Sequence, residues 1–200
     1  MKPILFNTQM VRAIQKGHKT VTRRIAFEQT NIRRFHSNEY PDGWWFLGRV
    51  YRKWDDMLRE PQGVLSFAKY KAGDILYVRE TWAEMPYGIV YRAEDAFPEG
   101  WDIDDRWKPS IHMPKEAARI FLRVKEVRVE RLNSMEEEDA IAEGFPDLGV
   151  DADSPLLRFS VLWDKTISRK DIGKFDWESN PWIFAYEFEQ ISKEEALNEQ

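Results

Sequence analysis

The longest β pattern in the chain, ARIFLRVKEVRVERL at positions 118–132, constrains the fold most because its phase changes in the middle. Apolar residues keep one parity up to Val124 and take the other parity from Val127 onward. Successive side chains of a strand point to opposite faces, so both sets reach one face only if an extra residue is accommodated between them. The pattern therefore predicts a β-bulge or sharp bend at Lys125-Glu126, a device that lets a strand curve around a barrel.

Other segments also show strand patterns. ILYVRE follows a turn at 71–74, and GIVYRA at 88–93 is predicted to be its neighbour in the sheet. WIFAYEFE at 182–189 places aromatic rings on one face and acidic residues on the other. This alternation predicts a closing strand whose aromatic face lies inside a small barrel.

Two short helices are predicted among these strands. The first follows Asn7 and Thr8, either of which can cap it, and ends at Gly17. The second is predicted to open with a capping box over 134–137 and to stop at Gly144. Strands separated by short helices predict an α+β fold around a small curved sheet or barrel.

The length of 200 residues suits a single domain, which we expect to span 1–200. Residues 31–70 are the least regular part of the chain and are interpreted as an insertion. The segments 97–110 and 146–158 are predicted to be loops, and the polar tail from about residue 191 is expected to fray.

Composition excludes several classes of protein. No stretch approaches the roughly 18 to 20 apolar residues of a membrane-spanning helix, and the polar N-terminal segment predicts no signal peptide. The absence of cysteine excludes disulfides, thiolate catalysis and cysteine-ligated zinc, and it fits a reducing cytoplasm, where we expect the protein. The three histidines form no HxxxH pair, so we expect no metal site and no cofactor.

Positive charge is concentrated near the N-terminus of this acidic chain. Residues 1–34 hold eight of the 30 Lys and Arg side chains but one of the 35 Asp and Glu side chains, although the net charge of the whole chain is −5. The net charge argues against a protein that coats DNA, whereas a segregated basic segment is typical of a local phosphate-facing surface. A solvated helix face explains the same charges equally well.

The densest part of the basic segment, GHKTVTRR at 17–24, contains a motif. Gly17, Lys19, Thr22 and Arg24 resemble the GxKxxTxR signature of ASCH domains, which belong to the PUA-like β-barrel superfamily. Taken alone, a string of this length is a weak signal.

Further segments resemble the same family in the same order. They are the turn and strand at 71–78, the helix that carries Glu143-Gly144-Phe145, and the aromatic strand at 182–189. VRETWA and WKPSIHMPKEAARIFL are similar to a longer bacterial and phage-borne subgroup. The resemblance covers three parts of the chain, roughly residues 2–30, 71–145 and 160–190.

The resemblance implies a PUA-like barrel that binds RNA or a modified nucleoside in a cleft beside the signature. Some small members remove the acyl group from an acylated cytidine amine, and others have been associated with ribonuclease action. By the same resemblance, the catalytic residues are Lys19, Thr22 and Glu143. Other acids of the same helix are alternative counterparts of Glu143, namely Glu137, Glu138 or Asp139.

These residue types suit amide hydrolysis. Thr22 supplies a hydroxyl nucleophile, and Lys19 can act as its base if burial lowers the pKa of the lysine. Glu143 can orient the lysine or accept a hydrogen bond from a cytosine amine. The same trio also makes a binding site without catalysis, and the sequence leaves both interpretations open.

Both arginines of the motif are candidate nucleic-acid contacts. Arg23 and Arg24 project to opposite sides of an exposed, extended segment, so at most one is expected to face the cleft. Arg24 holds the signature position. It can also pin the loop through a salt bridge to Asp74 or Glu80.

Three residues outside the motif are further candidate nucleic-acid contacts. Glu80 can pair with Lys19 or Arg24, or form an ion pair at the end of its strand. Trp82 can stack on a base or belong to the core. His112 can serve as a general acid or phosphate contact, or have a structural role.

Four functions therefore remain open. The first is binding of RNA or a modified nucleoside in a cleft lined by Lys19, Thr22, Arg24 and Glu143. The enzymatic alternatives are an acylcytidine amidohydrolase and a metal-independent ribonuclease. The non-enzymatic alternative is a phage or prophage interaction module whose basic segment, 1–34, docks on an acidic protein.

Overall fold

A five-stranded sheet forms the centre of the computed structural model. The structure describes seven parts of the chain, residues 1–27, 31–60, 63–86, 88–94, 107–146, 148 and 153–199. The strands are β1 (Lys2–Leu5), β2 (Val21–Phe27), β3 (Ile32–Phe35), β4 (Gly43–Phe46), β5 (Arg49–Tyr51), β6 (Ile75–Arg79), β7 (Trp82–Met85), β8 (Gly88–Tyr91), β9 (Phe121–Arg131) and β10 (Trp182–Ile191). The helices are α1 (Thr8–Gln15), α2 (Trp54–Arg59), α3 (Glu137–Ala142), α4 (Pro155–Thr166) and α5 (Lys193–Asn198).

The central sheet has the strand order β1-β6-β9-β10-β2, with β1 parallel to β6 and the other neighbours antiparallel. A three-stranded sheet, β3-β4-β5, and the hairpin β7-β8 complete the strand pairing of the described residues. The predicted α+β class is confirmed. Within the described ranges, strand pairing does not close the sheet into the expected barrel, because β1 and β2 are left as its two edges.

The phase change in β9 is a β-bulge, as the sequence predicts. Glu126 pairs with Glu187, whereas Val124 pairs with the next residue of β10, Phe188. Lys125 therefore has no residue opposite it on β10. The extra residue restores the inward direction of the apolar side chains on both sides of the bulge.

Strand β10 carries the centre of the hydrophobic core. Ile183, Ala185 and Tyr186 are almost fully buried, although Tyr186 lies on the opposite face of the strand from Ile183 and Ala185. The alternation that the sequence predicts is visible toward the end of the strand, where Glu187 and Glu189 reach the surface and bind Lys125 and Arg123. β10 therefore has apolar neighbours on both faces over its first half.

Capping side chains define the ends of the helices. The Asn7 side chain accepts a hydrogen bond from the backbone N–H of Met10 at the start of α1, and Gly17 follows its end with φ of 72°. The capping box predicted over 134–137 is wrong. The reciprocal bonds instead join Glu136 and Asp139.

Three predictions about strand neighbours and loops are also wrong. β8 pairs with β7 rather than with β6, whose neighbours are β1 and β9. Helix α4 starts at Pro155, within the predicted loop 146–158. The tail forms α5, with Ser192 and Glu195 in a capping box and Ala196 fully buried. Most of the loop predicted at 97–110 lies outside the described residues.

The segment 31–70 packs against the central core through its own small sheet and α2. Phe46 and Met57 are completely buried in the same cluster of side chains as β10. Trp54 stacks on Trp182 with ring centroids 5.2 Å apart. None of the described helices has the length and apolarity needed to cross a membrane.

Candidate functional site

Lys19 and Glu143 meet because the chain after α1 pairs with the chain after α3. The two residues form an isolated antiparallel bridge, and the backbone N–H of Thr20 donates to the carbonyl of Ala142 at 2.8 Å. Gly144 permits this approach with φ of 99°, since an added Cβ would lie 2.8 Å from the Cβ of Ala13. Glycine avoids both the clash and the strain of a positive φ.

The Lys19 side chain is buried with a full set of hydrogen-bond acceptors. Its Nζ donates to the carbonyls of Val21 and Glu143, at 2.8 and 2.9 Å, and to the carboxylate oxygen Oε2 of Glu143. The exposed fractions of the two side chains are 1% and 4%, so water does not compete for this ion pair. Three acceptors around one nitrogen match the three N–H donors of an ammonium group.

Burial lowers the pKa of Lys19 below its ordinary value, because an ammonium group loses hydration in the interior. Attraction to Glu143 raises this pKa, whereas repulsion from the positive charges of Arg24 and Arg23 lowers it further. The lysine is therefore deprotonated more readily than one at the surface.

Arg23 lies among three carboxylates with none of its side chain exposed. Its Nε donates to Glu130 Oε1 at 3.0 Å and its Nη2 donates to Asp139 Oδ1 at 2.6 Å. Its Nη1 lies 3.5 Å from Glu143 Oε1 without forming a hydrogen bond, and both atoms are buried without a hydrogen-bond partner. An unused donor and an unused acceptor therefore lie side by side.

A cleft of about 340 Å³ opens beside this ion-pair network. Lys19, Thr22 and Glu143 all line it, as do the aromatic rings of Phe6 and Trp163. The structure thus brings the three predicted catalytic residues to one cavity. Its volume lies within the range of about 300–1,000 Å³ that is typical of small-molecule sites.

The remaining acids of α3 have other roles. Asp139 binds Arg23, the Glu137 carboxylate accepts a hydrogen bond from the backbone of Leu156, and Glu138 is exposed. Glu143 is therefore the acid of this region that borders the cleft together with Lys19.

The two motif arginines differ in exposure, yet both line the cleft. Arg23 is buried, whereas Arg24 is exposed and donates to the carbonyls of Arg23 and Leu5 at 3.1 and 3.2 Å. The expectation of an exposed segment over 19–24 is wrong, because Lys19, Thr22 and Arg23 are buried and the guanidinium of Arg23 binds carboxylates of the interior. Asp74 pairs with Lys2 rather than with Arg24.

Glu80 lies apart from the cleft in a second ion-pair network. Both of its carboxylate oxygens accept hydrogen bonds from Arg119, at 2.9 and 3.1 Å. Burial raises the pKa of Glu80, and the bonds to Arg119 partly offset that increase. Its predicted pairing with Lys19 or Arg24 is therefore wrong.

Trp82 and His112 do not line the cleft either. Trp82 is buried in the hairpin β7-β8, and Lys108 Nζ lies 4.6 Å from its ring centroid. His112 is exposed in a single 3₁₀ turn, Ser110–His112. The buried position of Trp82 agrees with its alternative as a core residue.

Sequence reasoning missed the wall of the cleft that α4 provides. Phe159 and Trp163 line this wall, and their spacing of four residues places them on one face of a helix. That spacing is the signal that could have found them. Across the described ranges, no group of three or more His, Asp or Glu side chains could hold a metal ion.

Comparison with known proteins adds little to this picture. No protein-family model matches the chain, and no curated protein matches it. A crystal structure of a protein from Enterococcus faecalis V583, assigned to the family DUF984, is a weak structural neighbour with 12% sequence identity and a TM-score of 0.41. The similarity covers 92% of this chain and 69% of that chain.

Proposed function

We propose that the protein binds a modified nucleoside, free or within RNA, in the cleft beside Lys19. The observation that carries this proposal is the convergence of Lys19, Thr22 and Glu143 on one cleft, whose wall also contains the rings of Phe6 and Trp163. Beside them, Arg23 Nη1 and Glu143 Oε1 form an ion pair 3.5 Å long but no hydrogen bond. The pairing edge of cytosine or adenine presents an amine donor next to a ring-nitrogen acceptor, which is complementary to this donor and acceptor once the pair opens toward the cleft.

The residues that line the cleft also suit a nucleoside better than a long phosphate backbone. Lys19 and Arg23 are buried in ion pairs, so two of the cations of the basic segment are already neutralised inside the protein. Phe6 and Trp163 supply flat apolar surfaces on the cleft, and base–aromatic stacking contributes about 1–3 kcal/mol per base. The resemblance to ASCH domains, which led to the prediction of a nucleoside site, agrees with this proposal.

Calorimetric titration with cytidine, N4-acetylcytidine and a short single-stranded RNA tests the proposal. The wild-type protein should bind at least one of these probes, and Lys19→Met should weaken that binding by at least about tenfold, because Glu143 loses the buried cation that holds its carboxylate at the cleft. Lys16→Ala is the matched control, because Lys16 belongs to the same basic segment but is exposed and lies outside the cleft. Absence of binding to all three probes would contradict the proposal.

The second candidate function is hydrolysis of an acylated cytidine amine. The lowered pKa of Lys19 favours it, because a neutral amine can accept the hydroxyl proton of Thr22. The threonine oxygen would attack the acyl carbonyl, the proton would pass to the departing cytidine nitrogen, and water would hydrolyse the resulting ester. Lys19 must give up one of its three hydrogen bonds to act in this way.

Chromatography after incubation with N4-acetylcytidine distinguishes this candidate from binding alone. Hydrolysis yields cytidine and acetate, and Thr22→Val should abolish turnover while retaining binding. An inactive wild-type protein that binds the nucleoside would leave only the binding function. No contact in the cleft specifically favours the ribonuclease or protein-docking alternatives, which stay predictions.

A further inference from the structure

The cleft adjoins a second cavity of about 270 Å³. The two cavities share Leu5, Arg24 and Ile25, which belong to β1 and β2. These strands are the opposite edges of the central sheet, and no other described strand pairs with either of them on its outer side. The gap between the two edges is therefore the place where the cavities meet.

Arg24 lies across this boundary. Its Nη2 donates to the carbonyl of Leu5 on the facing edge at 3.2 Å, and its guanidinium carbon lies 5.5 Å from the ring centroid of Phe6. In the described part of the chain, no carboxylate forms an ion pair with this arginine. The boundary between the cavities therefore carries a positive charge that an anionic group can approach.

The second cavity combines another cation with fixed aromatic rings. Lys69 lines it, with Nζ 5.2 Å from the ring centroid of Tyr70. The hydroxyl of Tyr70 donates to the carbonyl of Pro3 at 2.7 Å, and the hydroxyl of Tyr186 accepts from the backbone N–H of Lys69 at 3.2 Å. These bonds hold both rings in place, so the cavity has a preformed aromatic surface.

We propose that the second cavity is a subsite for the neighbouring nucleotide of a single-stranded RNA, with Arg24 and Lys69 binding the phosphate between the two units. Guanidinium groups bind phosphate oxygens in a bidentate manner, and an ammonium group adds a point charge. The exposed ring of Phe67, which also lines the cavity, provides a surface on which the second base stacks, above the fixed and buried rings of Tyr70 and Tyr186. The inference rests on the proposed function and deepens it, because it makes a dinucleotide step, rather than a free nucleoside, the preferred ligand.

Calorimetric titration with cytidine, cytidine 5′-monophosphate and a cytidine-containing RNA dinucleotide tests the subsite. The wild-type protein should bind the dinucleotide at least about tenfold more tightly than cytidine, and the preference should decrease as salt is raised. Lys69→Gln should lower the ratio of the two affinities by at least about threefold, because it removes one of the two charges on the phosphate. Lys69 is exposed, so its replacement is compatible with folding, and Lys16→Gln is the control that should leave the ratio unchanged.

The results separate this inference from the proposed function. Equal affinity of the wild-type protein for cytidine and the dinucleotide would overturn the subsite and leave the nucleoside cleft standing. A high ratio that Lys69→Gln does not change would also overturn it. Failure to bind any of the three probes would reject both proposals.

Discussion

The ion-pair clusters around two buried carboxylates, Glu80 and Glu143, differ in what they leave unpaired. In the closed cluster (Glu80, Glu94 and Arg119), the arginine uses all three nitrogens, two for the oxygens of Glu80 and one for Glu94 at 2.7 Å. Its guanidinium carbon also lies 3.9 Å from the ring centroid of Tyr91. The buried carboxylate of Glu80 thus has both oxygens bound.

The cleft cluster (Lys19, Arg23 and Glu143) is more deeply buried, since Arg119 and Glu94 of the closed cluster are partly exposed, but it is incompletely paired. Arg23 Nη1 and Glu143 Oε1 have no hydrogen-bond partner, and all three residues line the cleft. A buried polar group without a hydrogen-bond partner costs about 1–3 kcal/mol. Under the proposed function, a ligand in the cleft would supply that partner. Burial of a charge is common to both clusters, whereas unused hydrogen-bonding capacity beside a cavity distinguishes the candidate site.

Removing the carboxylate charge should have a larger effect in the cleft cluster than in the closed cluster. Glu143→Gln should weaken nucleoside binding by about 10–100-fold, and it should lower the free energy of unfolding by about 3 kcal/mol because Lys19 loses its buried partner. Glu80→Gln should leave binding unchanged and change the free energy of unfolding by less than about 1 kcal/mol, because Arg119 keeps Glu94 and burial disfavours the ionised form of Glu80. Calorimetric titration and urea unfolding of both variants measure the two effects. A folded Glu80→Gln protein that no longer binds would remove the distinction between the clusters.

The local parts of this structure could be predicted from the sequence because neighbouring residues determine them. The bulge at Lys125 follows from the parity of apolar side chains, and the end of α1 follows from Asn7 and Gly17. The resemblance of residues 17–24 to the ASCH signature singled out Lys19 and Thr22, which the structure places in one cleft.

The ion-pair partners could not be predicted, because they depend on which strands become neighbours. Glu80 binds Arg119, which lies 39 positions away, and Arg23 binds Asp139, which lies 116 positions away. Nothing in the local pattern around Glu80 distinguishes it from Glu143 as a buried carboxylate. The closed sheet expected for a barrel also depends on long-range pairing, and β1 was not recognised as a strand.

Backbone substitutions near the cleft cluster should sharpen the comparison. Gly144→Ala places a Cβ 2.8 Å from the Cβ of Ala13 in a residue with positive φ. We expect it to lower the free energy of unfolding by about 2–4 kcal/mol. It should also weaken nucleoside binding, because Glu143 shifts. Gly173→Ala is the matched control, because its φ is also positive but nothing lies within 4 Å of the added Cβ. It should cost about 1–2 kcal/mol and leave binding unchanged. Equal losses of stability and binding in the two variants would contradict close packing at Gly144.

The smallest expected effect is a difference in pH dependence between the clusters. Burial lowers the pKa of Lys19 from the ordinary value of 10.5. At a pH between the pKa of the folded protein and that of the unfolded chain, the unfolded chain binds one more proton. The free energy of unfolding therefore rises with pH in this interval. Burial raises the pKa of Glu80 above its ordinary value of 4.5. At a pH between the ordinary and the raised value, the folded chain binds one more proton than the unfolded chain. The free energy of unfolding therefore falls as pH rises in this interval. Urea unfolding measured across pH, with the Lys19→Met and Glu80→Gln variants as references, isolates the contributions of Lys19 and Glu80 to the pH dependence of the free energy of unfolding. If the difference between wild type and Lys19→Met did not rise in the alkaline range, Lys19 would have an ordinary pKa, and its use as the base for Thr22 would lose its physical support.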